Sequence, residues 1–261
     1  MSEIITISSN KGGVLKTSLT VNLAGVLAEK GYRVLVIDAD NQGNSAVSFG
    51  LNPDNFKMTL YDVLVDGVHP DKAIINVYKN IYLLPSNDDM SFLEFDVLSN
   101  LSNYPNPYYL LKDAFKNYDL NQFDFVLLDS PPNIGLATGN CLVFTDKVLI
   151  PFQPEAYSMR SLIKILQAIN NFKNEHNAKL EVLGVVGTLV DNRTILHSQV
   201  IEECRKFCFN NNIKMFDNVI TKSVRFASSV AYNKLPATLT DKKHPVVQNY
   251  YQLYEEVFNN G

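Results

Sequence analysis

Residues 8–18 read Ser-Ser-Asn-Lys-Gly-Gly-Val-Leu-Lys-Thr-Ser, a set suited to holding a polyanion. Gly12 and Gly13 let successive backbone N–H groups turn inward around a phosphate. Lys16 can reach the terminal phosphates of a nucleotide, and the Thr17 hydroxyl is a hard oxygen ligand for Mg²⁺. Val14, Leu15 and Ser18 complete the loop. The general pattern G-x-x-x-x-G-K-[ST] is met incompletely: Asn10 and Leu15 stand where glycines are expected, and Lys11 is an additional lysine ahead of the glycine pair. Two backbone states are open to Leu15. A left-handed one costs a leucine roughly 1–2 kcal/mol; one with negative φ costs little. The second is expected, with the Leu15 N–H still offered to the phosphates. Glycine-rich strand–helix turns bind nothing in many folds, but two lysines and Thr-Ser in the same turn favour an anion.

Three carboxylates answer this loop. Asp38 and Asp40 follow the apolar run 32–37, and Asp129 closes the run 123–129. Hydrolysis of a Mg-bound nucleotide needs one acidic residue to hold the waters of the metal and another to position the attacking water, with no covalent nucleophile. Asp129 suits the first task and Asp40 the second; Asp38, nearer its strand, supports the lysine or the metal shell. A single Asp at a strand end often only caps a turn. Two strands delivering carboxylates to one sheet edge argue for a site.

The elements that must position these groups alternate. Residues 4–7 form a strand and the apolar pattern Leu19, Leu23, Val26, Leu27 a helix, so the loop lies between strand and helix. Gly31 stops that helix, and 32–37 is a second, parallel strand, a right-handed βαβ unit whose loops open at the same carboxyl edge. Helical pattern follows over 58–76, broken at 67–70, then a short strand at 81–86 and helices near 88–99 and 107–118. Strand 123–129 reads as buried on both faces. Helix 135–143, strand 147–151, helix 158–175, strand 182–190, helix 195–211, a strand around 214–220 and helices near 224–232 and 244–259 complete the order. The expectation is one α/β domain over 1–261, a twisted, mainly parallel sheet with helices on both faces.

Bulk properties agree. A chain of 261 residues with 46% hydrophobic and 19% charged content suits a soluble core of this size. No apolar run approaches the roughly 18 residues of a membrane span, and the N-terminus lacks the pattern of a secretory signal. Three cysteines make no disulfide framework; Cys204 and Cys208, four apart on a helix, lack further ligands for a metal. The cytoplasm is the expected location.

Lys-Gly-Gly-x-x-Lys-[Ser/Thr] resembles the deviant Walker A loop of the ParA/MinD ATPases. Asp38-Ala-Asp-Asn-Gln-Gly-Asn-Ser45 is similar to the family's switch stretch, with Asn41 in place of a usual proline. Phe123–Pro132 resembles its Walker B stretch, and 59–64, 84–87, 150–155 and 187–194 resemble later landmarks; 219–225 is a weaker match. The resemblance thus covers almost the whole chain. It implies a P-loop NTPase fold and an ATPase that uses ATP and Mg²⁺, monomeric without ATP and a face-to-face homodimer with it. It further implies that Lys11 reaches across to the nucleotide of the second copy, a role like that of an arginine finger, and that Pro154, Asp191 and Asn192 surround the adenine. Such dimers bind DNA without sequence preference and are stimulated by a centromere-binding, ParB-like adaptor, positioning plasmids or chromosomes on the nucleoid. The N-terminus goes directly into the first strand, so no site-specific DNA-binding domain is expected ahead of it.

The net charge of −4 excludes a generally basic protein, so a DNA surface must be local. Residues 200–243 hold eight Lys/Arg against four acids, a segment at +4 that leaves −8 for the rest. Arg193, Lys222 and Arg225 are the candidate phosphate contacts; the alternative is a solvated face. Other classes fare less well. A MinD-like regulator at the membrane needs a basic amphipathic C-terminal helix, and here that helix is acidic. A nitrogenase-reductase-like carrier needs cysteines to hold an iron–sulfur cluster, and none of the three is placed for it. An inactive nucleotide-binding scaffold is the reading that Leu15 leaves open.

Overall fold

The computed structural model describes residues 2–191 and 193–259, so Asn192 lies outside the described residues. In chain order the elements are β1 (Glu3–Ile7), α1 (Lys16–Glu29), β2 (Val34–Asp38), α2 (Asn44–Ser48), α3 (Leu60–Leu64), β3 (Ile75–Tyr78), β4 (Ile81–Leu84), α4 (Leu93–Leu98) and α5 (Leu110–Ala114). There follow β5 (Phe125–Asp129), α6 (Leu136–Phe144), β6 (Lys147–Phe152), α7 (Ser158–Glu175), β7 (Glu181–Val190), α8 (Ile195–Asn210), β8 (Ile220–Thr221), α9 (Arg225–Ser228), α10 (Ala237–Thr240) and α11 (Pro245–Tyr254).

The strands form one sheet in the order β3-β4-β2-β5-β1-β6-β7-β8. Every neighbouring pair is parallel except β3–β4. Side chains on a strand alternate between faces, and the core divides accordingly. Val34 and Val36 pack with Ile5, Ile7 and Leu127 against α1, α10 and α11. Leu35 and Ile37 pack with Val126 and Leu128 on the other face, against α3 to α6. Further along that second face, Val148, Ile150 and Val185 meet α7 and α8. This is the P-loop NTPase fold expected from the alternating pattern.

Three expected elements differ. Residues 75–78 are an edge strand and not the end of a helix. Their β-branched and aromatic side chains suit a pleated edge, and Asn80, left-handed at φ 62°, turns the chain back into β4. The strand expected over 214–220 shrinks to Ile220–Thr221 with a lone bridge between Val185 and Met215. The Asp217 and Asn218 N–H groups donate to the Glu256 carboxylate at 2.7 and 3.0 Å, and so are lost to β7. The final helix runs regularly only to Tyr254 and widens into a π turn over Glu255–Asn259. Its apolar face (Val247, Tyr250, Leu253) is fully buried in the core cluster that includes α1. Among the described residues no helix is long and apolar enough to cross a membrane.

Candidate nucleotide-binding site

β1 and α1 hold the glycine loop at the centre of the carboxyl edge, since β1 lies between β5 and β6. No side chain caps α1, and its first turn carries no acidic residue. Its free N–H groups and positive dipole end are therefore available to an anion. Gly13 is left-handed at φ 72°, and no atom lies within 4 Å of where a Cβ would sit, so the loop is open on that side. Leu15 is left-handed too, at φ 69° and ψ 28°. This overturns the expectation of a negative φ. The turn must reverse between Gly13 and the first helical residue, and the Leu15 carbonyl already accepts the Leu19 N–H at 2.8 Å. The leucine side chain packs against the core cluster beneath α1, which compensates the strained backbone.

Lys16 is buried with its ammonium 3.2 Å from the Lys11 carbonyl, which curls the loop around it. Burial lowers its pKa, and the charges of Asp129 and Asp40 oppose that shift. Asp38 and Asp129 face each other in register on β2 and β5, both fully buried. Asp38 is a loop clamp: its two oxygens accept the N–H groups of Asp40 at 3.1 Å and Ser45 at 3.0 Å. Burial, then the adjacent Asp129 charge, pushes its pKa well up. Asp129 accepts the Ser45 hydroxyl at 3.4 Å on one oxygen, while the other has no partner among the described residues. Burial raises it to about 7, opposed by the nearby Thr17 hydroxyl and the Lys16 ammonium. Asp40 is half-buried, with one oxygen closing a turn onto the Gln42 N–H at 3.1 Å.

Gly12, Gly13, Leu15, Lys16, Thr17, Ser18 and Asp40 line one cavity of about 690 Å³. Its far wall is Ser223, Phe226, Ala227, Val230, Ala231 and Lys234, and its side is Val47, Ser48, Val21 and Asn22. Sequence reasoning missed this wall, because nothing local in 226–234 marks it; tertiary packing brings Lys234 of that segment onto Gly50, just after α2. Lys11 and Val14 turn aside from the cavity, towards the start of α7. Pro154 is buried at the end of β6 and Asp191 stands after β7, on the same edge but outside the cavity walls. Asp191 is held low by the guanidinium of Arg193, which donates to its two oxygens at 2.9 and 2.7 Å. Arg225 is paired with Asp241. Lys222 is exposed and forms no ion pair among the described residues.

The donor set fits a metal–phosphate group better than a bare cation. No cluster of three or more His, Cys, Asp or Glu competent to hold an ion exists among the described residues. One unpartnered, buried carboxylate oxygen beside a threonine hydroxyl and a lysine is instead what remains when phosphate oxygens and water complete the shell. All three cysteines are buried and free.

Comparison with known proteins agrees with this arrangement. A family model described as an AAA domain matches residues 2–182. The chain is similar to the sporulation initiation inhibitor protein Soj of Bacillus subtilis, 34% identical over 266 residues that cover all of both chains. It is similar to the chromosome partitioning protein ParA of Caulobacter vibrioides, 34% identical over 98% of this chain and 94% of that one. Among solved structures, cobyrinic acid a,c-diamide synthase of Mycobacterium smegmatis, with a bound ATP analog and magnesium, superposes with a TM-score of 0.83 at 26% identity, covering 98% and 95% of the two chains. With likeness of this extent to Soj and ParA, the chain belongs to the ParA family.

Proposed function

We propose that this chain is a DNA-partitioning ATPase that binds ATP with Mg²⁺ and works as an ATP-dependent homodimer. The observation that carries the reading is the buried Lys16 and Asp129 beside the half-buried Thr17, with one Asp129 carboxylate oxygen left unpartnered among the described residues. Thr17 would ligate Mg²⁺ directly and Asp129 through water; the ion would neutralise charge on the transferring phosphoryl group. Gly12, Gly13, Val14, Leu15 and Ser18 supply main-chain N–H groups, and Lys16 binds the terminal phosphates. Asp40, held by the loop that Asp38 clamps, positions the attacking water. Lys11 acts on the nucleotide of the second copy. Pro154, Asp191 and Asn192 are assigned to the adenine.

Dimerisation is supported by what the carboxyl edge exposes. Tyr157, Ile195 and Val224, on the connections after β6, β7 and β8, are 85%, 77% and 83% exposed. Large apolar side chains this exposed, at the ends of three neighbouring strands, favour burial by a partner surface. DNA is the expected polyanion for Lys222, Arg225 and Arg193, and a ParB-like centromere-binding adaptor the expected activator. The membrane reading is disfavoured, because the apolar face of α11 already lies in the core.

The reading is tested by steady-state ATP hydrolysis with and without DNA and the centromere-binding protein. A slow basal rate that both together raise is expected. Asp40→Ala should keep ATP and the dimer while losing turnover. Loss of ATP binding in that variant would make Asp40 a structural or metal residue instead.

A further inference from the structure

The first lysine of the loop is held on its own chain. Lys11 Nζ donates to Glu155 Oε2 at 2.5 Å and to Ser158 Oγ at 3.4 Å, across 144 and 147 residues of sequence. Glu155 is itself fixed. Its other carboxylate oxygen accepts Gln153 Nε2 at 2.6 Å, and its backbone N–H donates to Ser158 Oγ at 3.3 Å. Ser158 is the buried first residue of α7, so the acceptor pair is anchored to a rigid element. The lysine side chain is 26% exposed and the glutamate 51%. A pair this wet is weak and screened, so it can be exchanged for another anion at small cost.

The geometry assigns Glu155 as a positioning residue: we propose that it parks Lys11 on its own chain and competes with the phosphates of a second copy for the same ammonium. This rests on the reading of Lys11 as the lysine that acts across the dimer. A buried carboxylate would hold Lys11 permanently, and no carboxylate would leave it free at all times. A half-exposed one makes its delivery conditional on a stronger anion, such as a nucleoside triphosphate brought up by dimerisation. Glu155 touches no reacting atom and acts only through Lys11.

Glu155→Gln keeps the shape and removes the charge at an exposed position. In protein without nucleotide, labelling of Lys11 by an amine-selective reagent, quantified by mass spectrometry, should rise about two- to fivefold over wild type, the range a weak surface pair allows. ATP turnover should rise by a similar factor, and that gain should vanish when Glu155→Gln is added to Lys11→Ala. Unchanged labelling overturns the parking contact. A turnover that falls, as in Lys11→Ala, also overturns it, by making Glu155 a support for the working position. The two readings fail separately. If Lys11→Ala alone turns over like wild type, the catalytic role of Lys11 falls and the competition with it, while the labelling still reports whether Glu155 holds the amine.

Discussion

On the floor of the site Asp38 and Asp129 are fully buried and Lys16 nearly so, whereas at its rim Arg193, Lys222 and Arg225 stand in solvent. The floor is built by strands. β2 and β5 bring the two carboxylates into register, and their backbone and hydroxyl partners are fixed by the fold. The rim is built by the loops after β7 and β8 and the first residue of α9, and its arginines are paired with nearby acids, Arg193 with Asp191 and Arg225 with Asp241. Charges in a low dielectric interact strongly and are little affected by salt; charges in water do neither. The difference separates two jobs. The floor is suited to one ligand in one geometry; the rim, on the proposed function, is suited to a polyanion whose position is not specified.

If that contrast is right, the floor is where one atom matters most. Lys16→Ala removes the cation that faces the buried Asp129 and the half-buried Asp40, and removes it from the phosphate cradle. ATP turnover should fall by about 100-fold or more, the scale for losing one preorganised electrostatic group, and added salt should not change the ratio to wild type. A loss of only a few-fold would show the main-chain N–H groups to be sufficient.

Asp129→Asn comes next. Metal affinity in the presence of ATP should drop by about 10- to 100-fold, as for a group that orients the metal's own ligands. The variant also isolates a pH effect. The folded pKa of Asp129, about 7, lies above its ordinary value of 3.8. Between those values the folded chain binds a proton that the unfolded chain does not, so stability falls as pH rises. From pH 6 to 8 this costs wild type about 1 kcal/mol, read as a lower melting temperature that Asp129→Asn does not share. Equal slopes in the two proteins would place the proton elsewhere, on Asp38.

At the rim the effects are smaller and salt-dependent. Lys222, with no ion pair among the described residues, is free to meet a phosphate, whereas Arg225 must first leave Asp241. Lys222→Glu should therefore weaken DNA retention more than Arg225→Glu does, uniformly across sequences, with the salt slope reduced by about one. Asp241→Asn should strengthen binding by releasing Arg225. Equal retention of all three at low salt would move the DNA surface away from this edge.

The same contrast explains what the sequence could disclose. Asp129 was legible because a strand buried on both faces is a continuous apolar run, and the carboxylate at its end has one place to go. Helix α7, Ser158–Glu175, was legible from its strong period. Residues 75–78 were not, because a short apolar run fits helix or strand alike and Lys79-Asn80 lacks the glycine that marks a hairpin. The cavity wall at 226–234 and the pairs Lys11–Glu155 and Arg225–Asp241 join segments whose approach is set by tertiary packing alone. Leu15 was misjudged for a related reason. The loop's path between Gly13 and α1 fixes its φ, and residue type has no vote.

Leu15→Gly is the smallest effect expected, and the sharpest test of how the floor is prepared. A leucine at φ 69° carries roughly 1–2 kcal/mol of left-handed strain. Glycine relieves it, but loses about 0.5–1 kcal/mol through the greater freedom of the unfolded chain, and also gives up the leucine's packing on the core. These terms nearly cancel, so stability should stay within about 1 kcal/mol of wild type, checked by denaturant midpoint. The strain belongs to the loop as folded in the single chain, so it enters folding and not the binding step. ATP affinity should accordingly remain within a few-fold, because the N–H direction is the same for either residue. Leu15→Val, which adds a β-branch at positive φ, should destabilise the protein more than glycine does. A tenfold gain in ATP affinity for Leu15→Gly, about 1.4 kcal/mol, would instead mean that the ATP-bound loop is tighter than the loop of the free chain and that leucine holds ATP binding in check.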